Sequence, residues 1–157
     1  MSHILKISEA ASLAFHTMAL LAAAPGDLFS TRQIAEIMEV SDNHLAKVLQ
    51  RLTREGLVTP VRGPLGGFRI GKASEEITLQ DIYESIEGPM VMPDCLLSGK
   101  RHCNGRCVLG DLLVRVDTMV RDYLGETRLS DLADVFRNRL TMYKGGAIHG
   151  KATGNSH

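Results

Sequence analysis

Residues 41–68 read SDNHLAKVLQRLTREGLVTPVRGPLGGF, and this stretch decides the fold. Ser41 can cap a helix over residues 42–54, with Leu45, Val48, Leu49 and Leu52 on one side of it. Asn43, His44, Lys47, Arg51 and Arg54 are left for the other side. Gly56 stops the helix at the position where a left-handed residue is easiest. Residues 57–62 alternate and carry Val58 and Val61, so they read as a strand. Residues 63–67 form a glycine- and proline-rich turn, and residues 68–71 a returning strand.

Upstream, residues 8–24 are rich in alanine and leucine and read as a helix closed by Pro25 and Gly26. That helix is apolar on most sides, so it must be buried, against its own chain or a second copy. Ser30 opens another helix, Gln33 completes a capping box, and Ile34, Ile37 and Met38 face inward. Downstream, Thr78 caps a helix over residues 79–87 that Gly88 and Pro89 end. Three helices followed by a basic hairpin are the outline of a winged helix-turn-helix: mainly α with a small β-hairpin.

Residues 90–107 have no periodicity. From residue 108 to 124, apolar side chains recur at Leu109, Leu113, Val116, Val120 and Tyr123, with Leu112 and Met119 beside them. This is a heptad seam. So short a helix is marginal alone and needs a partner surface. A symmetric homodimer supplies one economically, and packing on its own winged domain is the alternative. The expected organisation is therefore residues 1–88 as the DNA-binding domain, 89–107 as a cysteine loop, 108–143 as a long dimerisation helix plus a short terminal helix from Ser130 to Leu140, and 144–157 as a flexible tail.

The 157 residues are 44% apolar and 23% charged, as in a globular chain. The longest apolar stretch is alanine-padded and interrupted by His16, so neither a membrane span nor a signal peptide is expected. Eighteen basic side chains balance eighteen acidic ones, but unevenly. Residues 32–72 carry a net charge of +3, while residues 1–31 carry −1 and residues 73–157 carry −2. A compact basic segment inside a neutral chain suits double-stranded DNA. Asn43 can pair bidentately with adenine, and His44 and Lys47 lie within reach of base edges. Arg51 and Arg54, further along, suit phosphates. Arg62, at the hairpin turn, suits a narrow minor groove, and the glycines around it would let backbone approach phosphates.

Val40-Ser41 with Leu45, then Gly56-Leu57-Val58, then Val61 through Phe68, together resemble the iron–sulfur-cluster-regulator family of bacterial winged-helix transcription factors. That family includes the IscR-type and NsrR-type repressors. The likeness covers roughly residues 3–135, with first helix, wing, cysteine loop and dimer helix in the family's order. It implies base-reading positions at Asn43, His44 and Lys47 and a minor-groove position at Arg62.

All three cysteines, Cys95, Cys103 and Cys107, lie in one segment, too few and too close for a secreted disulfide framework. Without an export signal they suit a reducing cytoplasm, and three clustered thiolates can surround one iron–sulfur cluster, [2Fe–2S] or [4Fe–4S]. Lys100, Arg101 and Arg106 would offset the charge of an anionic cluster. In the resembled family the cysteines have the same outer span, and Cys103 falls later than the family's middle cysteine. The resemblance offers two fourth ligands. The first, a histidine after the third cysteine, corresponds to Gly110 here and fails. The second, a carboxylate from the first helix of the other subunit, corresponds to Glu9. His102 is a local alternative, and His16 is expected to be structural. Zinc held by Cys95, His102, Cys103 and Cys107, or a metal-free thiol sensor, competes with the cluster.

The reading that results is a homodimeric, sequence-specific repressor of transcription, responding to nitric oxide, redox state or iron–sulfur supply, with a near-palindromic operator. A small iron–sulfur or thiol oxidoreductase and a winged module that binds no DNA are the alternatives from other classes. No C-x-x-C pair, phosphate-binding glycine loop or Ser-His-Asp arrangement supports an enzyme.

Overall fold

The computed structural model describes residues 7–91 and 107–146; Cys95, His102 and Cys103 lie outside the described residues. Helix α1, Glu9–Ala23, runs through the middle of the molecule. Ala11, Ala14, Met18 and Leu20 are fully buried, and the helix is covered by the rest of its own chain. Its start is well fixed. The Ser8 hydroxyl accepts the Ala11 N–H at 3.1 Å and donates to Glu87, at the far end of the fourth helix.

Helices α2, Thr31–Met38, and α3, Asp42–Arg54, form the helix-turn-helix. The expected capping box of α2 is present, with Ser30 and Gln33 exchanging bonds at 3.2 and 2.9 Å. Leu45, Val48, Leu49 and Leu52 of α3 are all buried, as the sequence pattern requires. Ser41 occupies the N-cap but makes no side-chain cap bond. Gly56 follows α3 with φ +70°.

Strands β1, Val58–Val61, and β2, Gly67–Ile70, pair antiparallel with Val58 opposite Ile70 and Val61 opposite Gly67. Helix α4, Leu79–Glu87, begins at the expected Thr78 with a second capping box through Asp81. Leu79, Ile82, Tyr83 and Ile86 face inward from it.

Helix α5 spans Leu112–Glu126 and packs along α4. It begins later than residue 108 because Gly110 has φ +60°, and the chain before it is a turn closed by the Gly110 N–H on the Cys107 carbonyl at 3.0 Å. A helix does not propagate back through a left-handed residue. The end of α5 is tied to the start of α4: Leu79 N–H donates to Thr127 at 3.1 Å and Leu129 N–H to Ile77 at 2.8 Å.

The terminal helix also departs from expectation. In place of one helix from 130 to 140, a 3-10 turn covers Leu129–Leu132 and helix α6 covers Arg137–Lys144. Leu129, Phe136, Leu140 and Tyr143 are buried in the same core as α1. Arg139 donates to the Ile37 carbonyl and pairs with Glu39 at 2.6 Å, which straps α6 to the end of α2.

Candidate nucleic-acid interface

Helices α2 and α3 meet at a tight turn in which Glu39 adopts the left-handed conformation, φ 58°. The turn sets α3 on the surface with its leucines inward and one polar line outward. Asn43, Lys47 and Arg54 are exposed on that line, as the sequence reading placed them. Gln50 is exposed there too and was missed. The signal was available: positions 43, 47, 50 and 54 share one helical face. Gln50 offers the same bidentate amide as Asn43.

His44 and Arg51 are engaged within the protein. His44 is half-buried, and its Nδ1 lies 3.5 Å from Oε1 of Glu9 on α1. The two line a cleft of about 580 Å³ with Ser12, His16, Phe136 and Arg139. His16 is exposed at the edge of this cleft, its Nδ1 2.6 Å from the Ser12 carbonyl and its ring edge-on to Phe136. Arg51 donates to the Ile86 carbonyl at 2.9 Å, where the C-terminal end of α4 attracts a cation. Arg51 therefore joins α3 to α4, with only its remaining guanidinium N–H groups left for a phosphate.

The hairpin holds Arg62 in solvent beside α3. Near the turn, strand β2 is stapled to Phe29, just ahead of the α2 cap Ser30, by two backbone bonds between Phe29 and Phe68, at 3.0 and 2.8 Å. The fold itself gives two of the glycines a reason. A Cβ on Gly67 would stand 2.7 Å from the Phe29 backbone, and one on Gly66 2.2 Å from the Val61 carbonyl. These two glycines are required by the protein's own backbone, whatever they do for a phosphate.

On the sensing side, Cys107 is a free, half-exposed thiol just before α5, and the Leu109 N–H donates to its sulfur at 3.4 Å. Glu9 presents a carboxylate whose side chain is 86% exposed. Among the described residues, no group of three His, Cys, Asp or Glu side chains is placed to hold a metal. The expected seam on α5 is corrected. Leu113 is buried and Leu124 half-buried against the protomer itself, whereas Leu112, Met119 and Tyr123 of α5 stand exposed, as does Leu109 in the turn before it. The sequence seam had merged two apolar lines one position apart.

A helix-turn-helix with a cationic wing and a solvent-facing polar recognition helix defines a winged-helix DNA-binding regulator. Residues 7–135 match the profile of Rrf2, iron-dependent transcriptional regulators, and the chain belongs to that family. The family is one of transcriptional regulators rather than enzymes. Among solved structures, the chain is similar to CymR, the global cysteine regulator of B. subtilis, with 30% identity over 83% of this chain and 98% of that one, TM-score 0.71. The oxidized form of Staphylococcus aureus CymR matches with 30% identity over 83% and 97% of the two chains, TM-score 0.67. IscR of T. potens shares the fold at 24% identity over 96% and 94%, TM-score 0.64. No helix among the described residues is long and apolar enough to cross a membrane.

Proposed function

We propose that this chain is a cytoplasmic homodimeric repressor whose DNA affinity is set by an iron–sulfur cluster, sensing nitric oxide, redox state or cluster supply. Residues 1–88 supply the reader and the loop 89–107 the sensor, with the 108–143 segment pairing two copies through Leu112, Met119 and Tyr123 of α5 and Leu109 just before it. Residues 144–157 form the tail. Asn43, His44 and Lys47 read bases, Arg51 and Arg54 meet phosphates, and Arg62 enters the minor groove.

The observation that carries the sensing half is the contact between Glu9 and His44. The donor set suits a cluster: three thiols, one of them accepting a backbone N–H, and an exposed carboxylate on a rigid helix. Cys95, Cys103 and Cys107 would hold it, with Glu9 from the other protomer as the fourth ligand and His102 as the local substitute. The cluster supplies chemistry that nitric oxide and oxidants attack. Glu9 does the rest. Drawn toward the other protomer it loosens its hold on His44, which leaves the imidazole free for a base edge.

The test is operator affinity of anaerobically purified protein before and after cluster removal, with iron and sulfide counts. A change of about 5- to 150-fold is expected for a coupled site. In cluster-free protein, Glu9→Gln should mimic the released state and alter affinity severalfold. Equal affinities with and without the cluster would overturn the reading.

One observation favours a second reading, a metal-free thiol sensor: a relative at 30% identity is described in an oxidized form. Colourless anaerobic preparations whose DNA binding responds to peroxide would support it.

A further inference from the structure

We propose that Leu65 at the wing tip is an apolar wedge that enters the minor groove beside Arg62. The proposal rests on the DNA-binding reading and adds a second groove-contacting residue of opposite character. Leu65 is 90% exposed, more than any other large apolar side chain among the described residues. Its side chain helps to hold nothing in the fold. The tip is fixed instead by backbone, through the Gly66 N–H on the Gly63 carbonyl at 3.0 Å and the Phe29–Phe68 staple below. A rigid turn that holds a leucine out in water is organised for a partner, because little freedom remains to be lost on contact.

Charge identifies the partner. From Gly56 to Lys72 the chain carries Arg62, Arg69 and Lys72 and no acidic residue, so the hairpin approaches a polyanion. Phosphates attract the arginines and offer nothing to a leucine. Within DNA the apolar surfaces reachable from the minor groove are sugar edges and the faces of adjacent bases. Leucine is among the side chains that part such base steps and bend the duplex.

The experiment uses the full-length protein and a duplex selected by that protein from a random-sequence pool. Affinity is measured by anisotropy at several salt concentrations, and bending by energy transfer between end labels. Leu65→Gln keeps the length of the side chain and removes its apolar character, and Leu65→Ala shortens it. Both should weaken binding roughly tenfold and reduce the bend, with an unchanged salt slope, because no charge is lost. Arg62→Ala, by contrast, should lower the slope by about one for each wing engaged, about two for the dimer. Leu65→Phe should retain the bend. If both Leu65 variants bind and bend like the parent while Arg62→Ala still lowers the slope, the wedge is wrong and the DNA-binding reading stands. If the parent itself shows no salt-dependent affinity, both fall together.

Discussion

The reading half of the molecule and the pairing half are built on different logic. In α2, α3 and the wing, each boundary has a local chemical cause: the Ser30–Gln33 box, four buried residues on α3, Gly56, and glycines that let the hairpin close on Phe29. In α5 only Leu113 is buried, and large apolar side chains face outward along its length. A folded surface that is complete and polar is ready for a ligand that arrives with its own water and charge. One that is incomplete and apolar suits a second apolar surface, the role that the proposed homodimer gives it. The difference shows that one small chain can finish one face from local signals and leave apolar side chains exposed along another helix.

The largest expected effect tests that dependence. Replacing Leu112 and Met119 by Glu should leave the winged core folded, convert a dimer to monomers in sedimentation, and weaken operator binding by about 10²- to 10⁴-fold through loss of bivalency. A monomer that binds as tightly as the parent would erase the contrast between the two halves. A smaller effect belongs to the reading half. Ser30→Ala removes one cap bond and should cost about 1 kcal/mol in denaturant unfolding. It should leave the sedimentation profile unchanged.

The smallest effect concerns pH and the α6 strap. Burial pushes the Tyr143 phenol above its ordinary value of 10.0, with Glu36 adding to the shift through its charge and its bond at 3.3 Å. A group whose folded value is raised contributes stability that is intact below the unfolded value and lost as pH climbs through the folded one. Stability should therefore be flat in this respect at neutral pH and decline above about pH 10. Tyr143→Phe should flatten that alkaline limb in thermal melts, and an unaltered limb would remove Tyr143 as its cause.

What the sequence made legible follows from range. Caps and stops act within three or four residues, so Ser30, Thr78 and Gly56 could be read directly. The left-handed Glu39 could not, because a charged residue there has no compositional signature. It is accommodated by the Glu39 N–H on the Glu36 carbonyl and the ion pair with Arg139, a hundred positions away. The start of α5 was misplaced since Gly110 can either continue a helix or bar it, and only the fold decides. At the site, the exposure of Asn43, Lys47 and Arg54 followed from helical period. The engagement of His44 with Glu9 and of Arg51 with Ile86 depends on how separate helices dock, which periodicity does not encode.

The staple between Phe29 and Phe68 uses only main-chain atoms, and the turn beside it asks for glycine at 63, where φ is +118°, and at 66 and 67, where a Cβ would meet backbone. Residues 62, 64 and 65 can therefore be exchanged without renegotiating the architecture beneath them. A wing of this kind is an interchangeable stylus on a fixed arm, so new target sites lie within single substitutions that folding does not veto.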